Sequence, residues 1–393
     1  MDFRFTQPVD DGAVGIYIHI PFCVRRCNYC NFVTTAHDES LEAIYVRALM
    51  EEMKLWAEKR EFCATGAGFS VDAMYFGGGT PSVLKPEWIG QIIETCKSLF
   101  HFGDDVEISL EVNPGTASPS RLKELRSAGV NRVSLGVQSL DPEELRRMGR
   151  IHSPAGALAA LKDVRKANFE NVSVDLIAAY PGQTPHSLRR SLNGVLEWNP
   201  EHLSVYLLEQ KAGTKLERQI STGELAPVDK EEAFLFYQEV CALAAEAGYE
   251  HYEMSSFARN GMYCRHNLKY RQDTVFFGFG AGAHGMTGRW RYVNAGKLSR
   301  YWSEVTQGRL PFETCLELKP EARFKVALIM GSMLVKGVDL ARLGKRYGVD
   351  AVSFVDQTIG DLADSGLFEI SKDWIVMSHR ARIVSNEIFA RWA

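Results

Sequence analysis

Six apolar, β-branched runs alternate with helical patterns over the first two-thirds of the chain, and this alternation restricts the fold more than any other feature. The runs are AVGIYIHI (13–20), VDAMYFGG (71–78), DVEISLEV (105–112), VNRVSLGV (130–137), NVSVDLIA (171–178) and EHLSVYLL (201–208). Helical patterns lie between them at 41–59, 86–100, 119–129, 142–150, 153–168 and 185–199. Ser118 and Ser153, each followed by proline, mark helix starts. Strands alternating with helices predict parallel pairing through crossover helices. Near-continuous apolar runs predict a sheet covered on both faces. Six units rather than eight predict an α/β fold of the partial (β/α)6 TIM-like kind, open on one side. Barrel chemistry sits at the C-terminal ends of the strands. Here those ends carry HIPFC, GGGTP, EVNPG, GVQS and DLIAAYPGQT.

Beyond residue 210 the pattern changes. A helix (230–248) leads into YEHYEMSSFARNGMYCRHNLKYR and then a glycine-rich FFGFGAGAHGMTGRW. From 321 a compact unit is expected, with helices near 321–333, 339–347 and 351–365. A hairpin turning at Lys372-Asp373 and a last helix to Trp392 complete a winged-helix-like shape. The divisions expected are 1–210, 211–320 and 321–393. Segment 321–393 has ten Lys and Arg against nine Asp and Glu, so it offers no basic face for nucleic acid. The net charge of −4 points the same way. The N-terminus MDFRFTQPVDDG lacks the basic and apolar regions of a secretion signal. The best apolar run, VALIMGSMLV, is about half the length a membrane span needs. A cytoplasmic protein is expected.

Eight cysteines stand at 23, 27, 30, 63, 96, 241, 264 and 315. Only the first three cluster, as CVRRCNYC. Clustered thiols in a cytosolic chain favour metal over a disulfide. The other five read as incidental thiols. Three thiolates on one short loop can wrap an inorganic core. Zinc would want a fourth protein ligand, for which His37 is the candidate at an unusual spacing. A cubane iron–sulfur cluster held by three thiolates keeps one iron open, the mark of a chemical site. The open cluster is the leading reading of Cys23, Cys27 and Cys30; zinc and no metal are the alternatives.

CVRRCNYC after a strand, FGGGTP, EVNPG, LGVQS and YPGQT together resemble the radical S-adenosylmethionine superfamily. GVNRVSLGVQSLDPEELRRMGRIHS and CRHNLKY…GFGAGAH narrow the resemblance to the branch of oxygen-independent coproporphyrinogen III dehydrogenase (HemN) and the HemW heme chaperones. It runs from Tyr17 through the C-terminal unit. The resemblance implies a [4Fe–4S] cluster whose open iron chelates S-adenosylmethionine, and an electron from the cluster that releases a 5′-deoxyadenosyl radical. It implies that Gly78, Gly79 and Thr80 approach the amino end of that cofactor. It further implies that Glu111, Gln138 and Arg150 hold its polar parts, with Tyr17 and Tyr29 in contact. Asp175, an acid inside an apolar strand, needs a partner, and a ligand is one candidate. Ala283 in the glycine-rich turn is a further carry-over. No catalytic residue is assigned.

HemN-type enzymes extend the cysteine motif by a further C-x-C step, where this chain has Phe32, and carry a longer segment ahead of the barrel than the sixteen residues before Tyr17. Both departures point to the HemW group, which resemblance describes as binding heme and passing it to acceptors. In its H-N-x-x-Y-W motif His266, Asn267 and Tyr270 match and Arg271 replaces the tryptophan. His266 is then a candidate axial ligand for heme iron, Arg271 a candidate propionate partner, and 211–320 a heme-associated region extending the barrel. The expected partners are heme and heme-acceptor proteins, membrane-associated respiratory proteins among them; a homodimer stays open. The alternatives are a porphyrin-modifying radical enzyme, such as the dehydrogenase, and a zinc-stabilised domain without redox chemistry.

Overall fold

A computed structural model describes residues 13–58, 70–288, 290–371 and 373–393. The N-terminal dodecapeptide, Cys63 and the Lys372 half of the expected hairpin turn lie outside the described residues. The chain forms two compact units. The first comprises residues to Asp175, Gln210–Arg218 and Thr274–Glu317; the second comprises Leu176–Glu209, Gln219–Asp273 and Leu318–Ala393.

All six expected strands form: β1 (Ala13–Ile20), β2 (Ser70–Gly78), β3 (Phe102–Val112), β4 (Arg132–Gln138), β5 (Asn171–Ala178) and β6 (His202–Leu207). In the first unit β1 pairs in parallel with β2, β2 with β3 and β3 with β4, and β5 follows in the sheet order. Val14, Ile16, Ile18 and Ile20 are all fully buried. The first unit's sheet is wider than the six-strand expectation. Phe276–Phe279 adds in parallel to the free edge of β1. Strands His284–Thr287, Trp290–Asn294 and Phe312–Glu317 then continue it antiparallel. Their short runs, two of them interrupted by Gly278 and Gly285, gave little alternation to read.

The crossover helices start where a capping side chain meets proline. Ser118, Asp141, Ser153 and Thr184 each accept a first-turn backbone N–H, and each is followed by proline at the first helical position. The helix Pro142–Met148 stops at Gly149 in the left-handed conformation, φ 75°.

In the second unit, β6 is followed antiparallel by Ser256–Ala258 and Glu250–Glu253. Its C-terminal segment has helices Pro320–Ser332, Leu340–Tyr347 and Ala351–Ile359. A hairpin of Phe368–Ser371 and Trp374–Met377 takes Val338–Asp339 as a third strand. Phe324, Leu328, Ile359, Ile375 and Trp392 form its core. Two boundaries differ from expectation. The third helix tightens to a 3₁₀ segment from Gly360, where glycine weakens the helix, and the last splits at Val384 into His379–Ile383 and Ser385–Trp392. No helix among the described residues is long and apolar enough to cross a membrane.

Candidate functional site

The cysteine loop leaves β1 at Pro21. Cys23 is buried in a two-residue strand that pairs with Thr35-Ala36. Cys27 and Cys30 are partly exposed, and the Cys30 N–H closes a turn onto the Cys27 carbonyl at 3.3 Å. Asn28, between them, pins the loop to the end of helix Pro142–Met148. Its backbone N–H donates to Met148 O at 2.9 Å and its side-chain amide to Arg147 O at 2.6 Å. Glycine is required at 149 because a Cβ there would stand 2.9 Å from the Asn28 side-chain oxygen.

A chain of hydrogen bonds links two of the thiols. Thr80 Oγ1 donates to Cys23 Sγ at 3.7 Å and accepts from Asn113 Nδ2 at 2.9 Å. Arg150 Nη2 donates to Asn113 Oδ1 at 2.5 Å and to Gly136 O at 2.6 Å, while its Nη1 reaches Cys27 Sγ at 3.4 Å. Donors aimed at sulfur stabilise thiolate, the form that ligates metal. Burial first, then the neighbouring cysteines, push the Cys23 thiol up to about 11, and burial raises Cys30 as well, so three thiolates together favour a cationic core between them. Arg150 Nε is a buried donor with no protein partner among the described residues, as expected beside a polar ligand. The residues therefore fit a thiolate-held cluster with a polar cofactor next to it. His37 has its Nε2 on the buried Glu42 carboxylate at 2.6 Å, and among the described residues it forms no group of ligand atoms with the three cysteine sulfurs within 4.8 Å.

The triple glycine ends β2 against β1 and the cysteine loop. Gly79 and Thr80 donate their N–H groups to Ile20 O and Phe22 O, both at 2.8 Å. At Gly78, φ is 111° and a Cβ would lie 2.5 Å from the His19 ring. A Cβ on Gly79 would lie 2.7 Å from Phe22 O. Close backbone approach thus requires these glycines. His19, which sequence reasoning missed, is the floor beneath Gly78. Its Nε2–H donates to Val33 O at 2.8 Å, its Nδ1 accepts from Tyr17 O–H at 3.2 Å, and burial lowers it to about 4.

Glu111, at the end of β3, accepts from Tyr75 O–H at 3.1 Å. Burial first, then the neighbouring Asp175 charge, raise its carboxyl to about 7. Asp175 on β5 has ordinary partners: Ser134 Oγ lies 2.9 and 3.0 Å from its two oxygens, and Ser173 Oγ 3.3 Å from one. Two adjacent carboxylates nonetheless make a place that favours a cation. Gln138 ends β4 with φ 68°, a strained value for a residue with a side chain. Tyr29 lies beside Cys27 and Arg150; burial raises its phenol. Tyr17 stacks on Tyr75 at 6.4 Å. Ala283 is fully buried, with its N–H on Gly280 O and its carbonyl taken by Asn294, so neither main-chain group is offered to a ligand. Val24, Phe32 and Ile151 leave apolar side chains exposed on the loop and after Arg150.

The heme candidates belong to the second unit, on the helix Arg265–Arg271. His266 is buried and its Nε2 is 2.7 Å from the Tyr270 hydroxyl. Burial lowers it to about 3, so the imidazole is neutral, as ligation requires. Asn267 is half-buried on the same helix. Arg271 is half-buried and already paired. It is bound to Glu253 at 3.0 Å and contacts Met333 Sδ at 2.8 Å, so a propionate would have to displace a buried carboxylate.

Parallel strands with a three-cysteine loop, a glycine cradle and acids at their C-terminal ends are the arrangement of a radical S-adenosylmethionine protein. Residues 17–193 match the radical SAM superfamily. The chain is 32% identical over 374 residues to the heme chaperone HemW of Bacillus subtilis (strain 168), covering 95% of this chain and 97% of that one. It is 33% identical over 387 residues to the heme chaperone HemW of Mycobacterium tuberculosis (strain ATCC 25618 / H37Rv), covering 97% and 95%. Among solved structures, coproporphyrinogen III oxidase (HemN) from Escherichia coli, a radical SAM enzyme, superposes with a TM-score of 0.83 at 26% identity, covering 97% of this chain and 90% of that one. The chain belongs to the HemW family of radical SAM proteins.

Proposed function

We propose that this protein is a cytoplasmic heme chaperone that carries a [4Fe–4S] cluster with S-adenosylmethionine, binds heme and hands it to acceptor proteins. The observation that carries the cofactor part is the hydrogen-bonded chain Thr80–Asn113–Arg150, which reaches the sulfurs of both Cys23 and Cys27. Cys23, Cys27 and Cys30 hold the cluster. In this reading Gly78, Gly79 and Thr80 lie along the methionine end of the cofactor, with the Gly79 and Thr80 N–H groups already committed to Ile20 O and Phe22 O. Glu111 and Asp175 supply negative charge for its ammonium and sulfonium, and Gln138 and the Arg150 Nε face its polar atoms. When bound, cluster and cofactor supply one-electron chemistry that no side chain here can. The heme part rests on full-length likeness to proteins named heme chaperones and on His266, Asn267 and Tyr270. In this reading, Tyr270 orients the His266 ring, and acceptors include membrane-associated respiratory proteins.

Titrating heme into wild type and His266→Ala tests the ligand. The reading expects weaker binding and a displaced Soret band; unchanged affinity and band position would remove His266 from it. A second reading, an enzyme acting on coproporphyrinogen III, is favoured by the likeness to the Escherichia coli oxidase. Phe32, standing exposed at the end of the loop where that branch has a fourth cysteine, speaks against it.

A further inference from the structure

Cys241, read from sequence as an incidental thiol, has company. Helix Lys230–Glu246, strand Glu250–Glu253 and helix His379–Ile383, all in the second unit, bring Cys241, His251 and His379 together. Each offers one ligand atom, and the three atoms lie within 4.8 Å of one another. Cys241 Sγ is 3.9 Å from His251 Nδ1. The far nitrogen of that ring, Nε2, is 3.4 Å from the Tyr237 hydroxyl, which donates its own proton to Met254 O at 3.2 Å. With its proton on Met254 O the hydroxyl accepts from Nε2–H, the tautomer that turns the Nδ1 lone pair to the sulfur side, and Tyr237 is itself a hydrogen-bonding neighbour of Cys241. Phe257, stacked on His251 at 4.4 Å, fixes the ring plane. Tyr237 meets the His379 ring edge-on at 5.5 Å. This is the ordered outer shell that a ligating histidine needs.

We propose that Cys241, His251 and His379 form a mononuclear site for a thiophilic d10 cation, zinc(II) or copper(I), distinct from the iron–sulfur loop. One thiolate and two imidazoles are soft to intermediate donors, which excludes magnesium and calcium. Burial lowers His251 to about 4 and lowers His379 as well, so both rings are neutral near pH 7 and ready to bind. The Cys241 thiol, raised by burial to about 11, gives its proton to solvent as the metal–sulfur bond forms. The charge facing the cluster is Arg382, whose guanidinium donates to the carbonyls of Met333, Leu334 and Met377. It favours the thiolate and disfavours a high net charge on the metal complex. Copper(I) makes a neutral three-coordinate complex, and zinc(II) takes a water in the fourth position. His379 is exposed, which gives the ion its way in.

The test uses the full chain with its cluster reconstituted. Zinc(II) and, under reducing anaerobic conditions, copper(I) are added separately, and the protein is desalted through a weak chelator. Metal and iron are then counted for wild type, Cys241→Ser and His379→Gln. Wild type is expected to keep about one equivalent of at least one of the two ions. Both variants are expected to bind that ion about 100-fold more weakly or worse, with iron content and metal-free melting temperature unchanged. X-ray absorption at the retained metal should report one sulfur and two nitrogen neighbours. Retention of neither ion by wild type, or retention unaltered in both variants, would overturn the site.

Discussion

Replacing Asn113 by alanine removes the side chain that joins Thr80 to Arg150. With the link gone, the guanidinium and the hydroxyl no longer hold Cys27 and Cys23 in one register. Outer-shell changes of this kind cost about 10–100-fold in metal affinity. The expected result is a cluster that loses iron to a chelator at least about ten times faster than wild type, read from the decay of its visible absorption. Glu111 carries a second prediction. Its carboxyl, raised to about 7, is half protonated at neutral pH before any ligand arrives. Only the anion pairs with an ammonium, so S-adenosylmethionine affinity should fall as pH drops from 8 to 6, approaching tenfold per unit below 7. Glu111→Gln should bind weakly and flatten that dependence; a wild-type affinity that ignores pH over this range counts against the assignment. The cysteines and glycines were legible in sequence because their spacing is local. Asn113 and His19 were not. Asn113 reads as a turn residue before proline, and its role depends on Arg150 arriving from 37 residues further on. His19 reads as one more residue of an apolar strand; its role depends on Val33 and on a glycine of the next strand lying over it.

At the scale of elements, the strand ends matter more than the strands. The six expected strands were readable because their runs are apolar and β-branched, as strands covered on both faces are. The four added strands of the first unit were not: they are only four to six residues long, and Gly278 and Gly285 break the alternation of two of them. Those glycines answer to tertiary neighbours: at Gly285 a Cβ would lie 2.2 Å from the Tyr292 ring. Gly78→Ala tests the junction of β2 with the cysteine loop. It meets both a positive φ and the His19 ring, so a loss of about 1–3 kcal/mol or more is expected in urea unfolding of the cluster-free protein. Gly115, also at positive φ but with nothing within 4 Å of an added Cβ, should lose less on the same substitution. The Cys241 group escaped sequence reading for a simple reason. Its members are separated by 10 and 128 residues, and no short motif spans a helix, a strand and a distant second helix.

At the largest scale, one buried carboxylate closes the first unit on itself. Glu52, on the helix Glu39–Ala57, accepts from Gly280 N–H at 2.8 Å, Asn294 Nδ2 at 2.6 Å and Tyr301 O–H at 2.6 Å. It ties residues more than two hundred positions apart into the first unit. Burial raises its carboxyl to about 7, against four donors that lower it, the Trp56 indole being the fourth. The folded state therefore keeps a proton that the unfolded chain has lost between about pH 4.5 and 7. The stability this confers is fully present below that window and is lost as pH rises through it, by an amount of order 3 kcal/mol. His19, His251 and His266, held below their usual range, act in the opposite sense on the acid side. The expected outcome is thus a difference: from pH 5 to pH 8, wild type should lose more urea stability than Glu52→Gln. Equal losses would show that Glu52 does not titrate in this window.

Heme transfer is the property that sets a chaperone apart from a porphyrin-modifying enzyme. Cluster-loaded protein, saturated with heme and freed of excess, is mixed anaerobically with an apo-hemoprotein and S-adenosylmethionine, and the acceptor's Soret band is followed. The band is expected to grow at the expense of the donor, faster than from heme in buffer, and His266→Ala is expected to fail to load. A donor that retains no heme, or an acceptor that fills no faster than from free heme, would contradict the chaperone function.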